Sequence, residues 1–169
     1  MHKKILVTYA SRSGSTQAVA QTVGEELVNL GAEVDLRFLL DVKHVENYDA
    51  IIIGAPLRSG KWLPEATRFV YSHQPQLRKK SVAYFVVCMT LHNDTPKNQQ
   101  KVLSALETAS DYVKPIDIGL FAGNLNRKNM PSWWGRIVTK LSGLPEGDYR
   151  NFPLIRRWGI TVGKKIGLD

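Results

Sequence analysis

Residues 11–16, Ser11-Arg12-Ser13-Gly14-Ser15-Thr16, put four hydroxyls, one cation and one glycine into six positions. They follow an apolar run, Ile5-Leu6-Val7-Thr8-Tyr9, that reads as a strand. They precede Gln17-Ala18-Val19-Ala20-Gln21-Thr22-Val23, which reads as the start of a helix. Free backbone N–H groups and the positive end of the helix dipole meet in such a turn, so it suits a phosphate. The hydroxyls add hydrogen bonds, and Gly14 lets the backbone come close. One Ser or Thr would already serve as an ordinary N-cap. Four of them after the first strand of an α/β pattern point to a phosphate cradle, because ligands in such sheets bind at the C-terminal strand ends. Arg12 fits the same purpose, since a cation beside a phosphate is favourable. No Gly-Lys-Ser/Thr follows and no Gly-x-Gly-x-x-Gly is present, which disfavours both an adenosine triphosphatase and a Rossmann dinucleotide site.

The elements that position this turn alternate strand and helix. A strand is expected at about 3–9 and a helix at about 14–30, with Val19, Val23, Leu27 and Leu30 at helical spacing and Gly31 as its C-cap. Val34 to Phe38 alternate as a short strand. Ala50-Ile51-Ile52-Ile53 is a continuous β-branched run, as in a central parallel strand. Leu63–His73 reads as a helix, Val82–Val87 as a buried strand, Lys97–Val113 as one helix, Ile116–Phe121 as a fifth strand and about 152–167 as a last helix. Five strands alternating with helices imply an α/β doubly wound parallel sheet in a single domain of 169 residues. Residues 124–151, rich in Pro and Gly, fall outside the alternation as an insertion before the last helix.

Three further segments fall at strand C-termini. Gly54-Ala55-Pro56-Leu57-Arg58-Ser59-Gly60-Lys61-Trp62 is a shaped loop whose Arg58, Lys61 and Trp62 are expected to be exposed. Cys88-Met89-Thr90-Leu91-His92-Asn93 follows the fourth strand and Ala122-Gly123-Asn124-Leu125 the fifth. Loops converging beside a phosphate turn describe a mononucleotide pocket. Cys88 is the single cysteine, which excludes an internal disulfide and favours a reducing, cytoplasmic setting. At the end of a buried strand it reads as a small hydrophobe rather than a redox group. His92 reads as a solvated loop histidine with a donor role as the alternative. His2, His44 and His73 lack metal-site spacing, so no metal is expected.

The N-terminus, Met1-His2-Lys3-Lys4, leads straight into a strand, so no signal peptide is expected, and no apolar run approaches a membrane span. The net charge of +8 is uneven. Residues 1–119 carry 14 basic and 12 acidic side chains, whereas residues 120–169 carry nine and three. The last third is therefore where an anionic partner would be felt. Within it, Ser132-Trp133-Trp134-Gly135-Arg136-Ile137-Val138-Thr139-Lys140-Leu141 is amphipathic. Trp133 and Trp134 with Arg136 and Lys140 suit either a peripheral membrane contact or a lid packed over the sheet. In the last helix, Gly159, Gly163 and Gly167 recur at every fourth position and are expected to let it lie close to the sheet. No nucleic-acid partner is expected.

The element order, the Ser/Thr-rich first turn and the Gly-Ala-Pro loop resemble the flavodoxin family. Arg12 in the turn, Gly54-Ala55-x-x-Arg58-x-Gly60, Ala122-Gly123 and Lys140-x-Ser142-Gly143 are similar to its menaquinone-dependent protoporphyrinogen oxidase branch. That resemblance implies a strand order 2-1-3-4-5 with helices on both faces and FMN as cofactor. By it, Ser11, Arg12, Ser13, Gly14, Ser15 and Thr16 hold the phosphate. Ala55, Pro56, Leu57, Arg58, Ser59 and Gly60 lie along one side of the isoalloxazine. Cys88, Met89, Thr90, Leu91, His92, Asn93 and Gly123 border the other. Electron-shuttling flavodoxins are typically acidic and sandwich the ring between aromatic residues. This chain is basic, with Trp62 as the one candidate to stack, so one flavin face is open to a substrate. The implied function is an FMN oxidoreductase passing electrons between a protoporphyrinogen-like substrate and a quinone. The alternative is a flavodoxin-type carrier that docks on a redox protein.

Overall fold

The computed structural model describes residues 2–126, 128, 137, 140–141, 143 and 146–168. Its strands are β1 (Lys4–Tyr9), β2 (Glu33–Phe38), β3 (Ala50–Arg58), β4 (Lys61–Trp62), β5 (Ser81–Cys88), β6 (Asp117–Ala122), β7 (Asn124–Leu125) and β8 (Gly147–Asp148). Its helices are α1 (Ser15–Asn29), α2 (Pro64–Ser72), α3 (Gln74–Leu77), α4 (Pro96–Ser104), α5 (Glu107–Tyr112) and α6 (Phe152–Ile166). The parallel sheet runs β2-β1-β3-β5-β6, with β4 folded back antiparallel on the end of β3. Once the short β4 is set aside, this is the expected order 2-1-3-4-5.

The central strands carry continuous apolar runs because both faces are covered. Leu6, Ile51, Ile53, Tyr84 and Val86 pack under α2–α5. Ile5, Val7, Ile52, Phe85 and Val87 pack under α1 and α6. Burying each such side chain contributes about 1.5–3 kcal/mol. The tightest approach within the sheet is at Gly54. It pairs with Phe85 on the neighbouring strand, and a Cβ there would sit 1.8 Å from the phenyl Cζ.

Four expectations change. Trp62 is not exposed: it is 2% accessible, lies 5.1 Å from the Tyr84 ring, and its indole Nε1 donates to the Ala55 carbonyl at 3.2 Å. The β3–β4 hairpin turns it inward, leaving Lys61 at the surface. The single helix expected over 97–113 is two helices. The Ala105 carbonyl accepts from Trp62 N at 3.5 Å, and the Ala105 and Leu106 N–H groups tighten onto Val102 and Leu103. Leu106 is thereby turned fully into the core. Gly159 and Gly163 give close approach to α1, not to the sheet. A Cβ at Gly159 would lie 3.1 Å from Glu26 Cβ, and one at Gly163 would lie 2.5 Å from Leu30 Cδ1. Finally, the C-cap of α1 is Leu30. Gly31 lies just beyond it, its N–H and that of Ala32 bonding back to Val28 and Leu27.

The ends of the 124–151 insertion meet, because β7 pairs antiparallel with β8. Trp133, Trp134 and Arg136 lie outside the described residues. Lys140 and Leu141 are exposed. Among the described residues no helix is long and apolar enough to cross a membrane.

Candidate functional site

A cavity of about 890 Å³ opens at the C-terminal ends of β1, β3, β5 and β6. It is formed by the β1–α1 turn, the β3–β4 hairpin, the segment after β5 and the start of β7. Arg12, Ser13, Ser15 and Thr16 line it from the first turn, and Pro56, Leu57, Arg58, Ser59 and Gly60 from the hairpin. Cys88, Met89, Thr90 and His92 line the third side, and Gly123 the fourth. Ser11, Gly14, Ala55, Leu91 and Asn93 were expected at this site and are not in its lining. Each shapes it from behind. Ser11 Oγ accepts from Gly14 N at 2.9 Å, and the Ala55 carbonyl holds Trp62. Leu91 is buried in the core, and the Asn93 carbonyl accepts from Asn98 Nδ2 at 2.8 Å.

The first turn is built in an unusual way for its composition. α4 and α6 are capped by side chains, Thr95 Oγ1 accepting from Asn98 N and Asn151 Oδ1 from Leu154 N. α1, with four hydroxyls at hand, has no side-chain cap. Its N-cap is Gly14 in the left-handed region, φ +81°. Ser11 spends its oxygen on Gly14 N, outside the helix. Ser15 Oγ accepts from Asn124 N at 3.1 Å, tying the turn to the start of β7. No described residue accepts from the N–H groups of Ser15, Thr16 or Gln17. A 15-residue helix thus points unsatisfied donors and the positive end of its dipole at the cavity, which is the demand an anion meets. Arg12 stands beside them, exposed, with its guanidinium bonded to Glu65 Oε1 of α2 at 2.6 Å.

His92 Nδ1 lies 2.9 Å from the Met89 carbonyl oxygen. A carbonyl only accepts, so Nδ1 carries the hydrogen in this contact. Burial pushes the Cys88 thiol above its ordinary pKa. The thiolate is the reactive form, so Cys88 is expected to react with iodoacetamide near neutral pH about tenfold more slowly than free cysteine. A labelling time course read by mass spectrometry checks this; labelling at the free-thiol rate would contradict the buried placement.

Leu63, Val87, Asn98 and Lys101 also line the cavity and were not anticipated there, and Asn124 and Leu125 line it from the loop already expected at the pocket. Asn124 and Leu125 follow Gly123 directly, so the loop itself was legible. Asn98 and Lys101 sit on an ordinary amphipathic helix and carry no sequence signal.

A family profile described as Flavodoxin domain matches residues 6–149. The chain belongs to the flavodoxin-domain family. Membership supports FMN as its cofactor, and the residues fit one. The free donors at α1 suit a phosphate, and the cavity volume lies within the range of about 300–1,000 Å³ usual for small-molecule sites. This flavodoxin-domain chain is 26% identical over 141 residues to a protoporphyrinogen IX dehydrogenase [quinone] of Escherichia coli strain K12, spanning 82% of this chain and 77% of that one. It is 38% identical over 80 residues to an NAD(P)H dehydrogenase (quinone) of Acidovorax ebreus strain TPSY, spanning 34% and 40%. Among solved structures it is similar to two-electron reduced Megasphaera elsdenii flavodoxin, with TM-score 0.61 and 18% identity over 95% of this chain and 98% of that one. It is also similar to a flavoprotein in complex with FMN from Lactobacillus acidophilus NCFM, with TM-score 0.55 and 21% identity over 70% and 93%. The structural likenesses establish the fold.

Proposed function

We propose that this flavodoxin-domain protein is an FMN-dependent oxidoreductase that takes electrons from an organic donor of the protoporphyrinogen type and delivers them to a quinone. The observation that carries the reading is the lining of the cavity: among the described residues it contains no Phe, Tyr or Trp. The one aromatic residue of the hairpin, Trp62, is committed to the core. A carrier gains from enclosing its ring, whereas an enzyme needs a face that a substrate can reach. The names of the E. coli and A. ebreus relatives, both dehydrogenases that carry quinone in their names, support the acceptor.

When bound, the flavin supplies the capacity to accept an electron pair from one partner and release it to another. The chain's residues supply the rest. Ser15, Thr16 and the backbone after Gly14 would hold the phosphate. The Pro56–Gly60 hairpin and the Cys88–His92 segment would flank the ring. Arg58 and Lys101 make the cavity mouth positive, which attracts an anionic donor. Each electron pair leaving the donor, with its protons, ends on the quinone as hydroquinone.

The test is an anaerobic assay of the FMN-loaded protein with protoporphyrinogen and a soluble menaquinone analogue. Hydroquinone should accumulate in step with porphyrin absorbance, and omitting either partner should stop it. If no porphyrin forms while the protein still exchanges electrons with a redox protein, the carrier reading replaces the enzyme.

A further inference from the structure

A second groove of about 630 Å³ lies beside the cavity, between α2, α5 and the β3–β4 hairpin. It joins the cavity at Gly60 and Lys101, which line both. Its cations are Lys61, Arg68 and Lys101, all exposed, and none of its lining residues is acidic. Some described cations find carboxylates, Arg12 with Glu65, Arg37 with Asp35, Arg150 with Asp148, Arg156 with Glu26 and Lys165 with Asp117, and others, Arg157 and Lys164 among them, pair with none among the described residues; the groove is set apart by cations gathered around one apolar wall with no acid in its lining. Among the described residues no carboxylate pairs with Lys61, Arg68 or Lys101. α5 does carry Glu107 and Asp111, but it faces the groove with Thr108 and Tyr112 instead.

The groove also has an apolar wall. Tyr71 is 59% exposed, a large ring left in water, and it stands 5.1 Å from the Tyr112 ring. The Tyr112 carbonyl is fixed by Gln74 Nε2 and Arg78 Nε, each at 2.9 Å. Trp62 forms the floor, and Thr67, Ser104 and Thr108 add hydroxyls. Unneutralised cations around a tyrosine wall select a ligand that is flat and apolar in its body and negative at its ends.

We propose that this groove binds a flat organic polyanion, carboxylate or phosphate, and seats the charged end of the electron donor next to the flavin cavity. Its role toward the donor rests on the function proposed above; apart from Gly60 and Lys101, the groove is built from residues that do not line the cavity.

Equilibrium dialysis of the FMN-loaded protein against protoporphyrin IX, a dicarboxylate, and against NADP⁺, a polyphosphate, tests it. At least one of the two should bind. The double variant Lys61→Gln/Arg68→Gln should weaken that binding about tenfold, and Tyr71→Ala about fivefold. Removing the same charge on the opposite face, as Arg157→Gln/Lys164→Gln, should leave it unchanged. Raising the salt to about 1 M, where the Debye length is about 3 Å, should erase most of the difference between wild type and the double variant. Which ligand binds identifies the anion. Binding of neither, equal binding by the double variant, or equal loss in the distant control overturns the proposal. FMN retention is measured in the same samples. If wild type retains none, the cofactor reading fails, and dialysis of the apoprotein still decides the groove.

Discussion

Gly54→Ala is expected to destabilise the fold by about 3 kcal/mol or more. The added Cβ would sit 1.8 Å from Phe85 Cζ and 2.2 Å from both Cε atoms, and the phenyl ring is fully buried between β3 and α1 and α6. Neither strand can shift, since β3 pairs with β1 on one side and β5 with β6 on the other. For a domain of this size the melting temperature should fall by about 6–12 °C. Phe85→Leu makes room, so Gly54→Ala should cost far less in that background than in wild type. The double-mutant cycle separates this overlap from general damage. Additive losses would show that the Gly54–Phe85 approach is not the cause. Gly54, first legible as part of a loop motif, thus serves the sheet rather than a ligand.

Gly14→Val is expected to weaken FMN binding about thirtyfold, or about 2 kcal/mol. The sequence suggests that a side chain there would block close approach of the backbone. The structure gives a different reason. A Cβ at Gly14 would meet no protein atom within 4 Å, but φ is +81°. A β-branched residue resists that conformation, whereas Asn tolerates it. Forcing the turn out of it re-aims the N–H groups of Ser15 and Thr16. Gly14→Asn should therefore keep affinity within about threefold of wild type. Flavin fluorescence titration of both variants checks the pair. Equal affinity for Val and Asn would show that residues 11–16 are not the phosphate cradle.

The central strands were legible because their neighbours bury both faces, which forces the unbroken Ile51-Ile52-Ile53 and Val82–Val87 runs. The turn after β1 was legible because hydroxyl density at a strand–helix junction is local chemistry. What was not legible depends on partners distant in sequence. Trp62 reads as exposed amid Arg, Ser, Gly and Lys, and only the hairpin onto β3 and the Ala55 carbonyl turn it inward. The break between α4 and α5 follows from Trp62 N reaching the Ala105 carbonyl. The β7–β8 ribbon pairs segments more than 20 residues apart over two residue pairs, too short for any pattern. At the site, hydroxyl-bearing positions were found, but not their assignments. Ser11 and Ser15 use their oxygens on Gly14 N and Asn124 N, and that is why the donors of α1 stay free.

The cofactor is the claim on which the rest stands. The purified protein should be yellow, or should become so when titrated with FMN, at one flavin per chain. Heat-released cofactor should run as FMN and not as FAD, since one uncapped helix end serves one phosphate. A colourless protein that stays colourless through the FMN titration, with its fold intact by circular dichroism, would contradict the account.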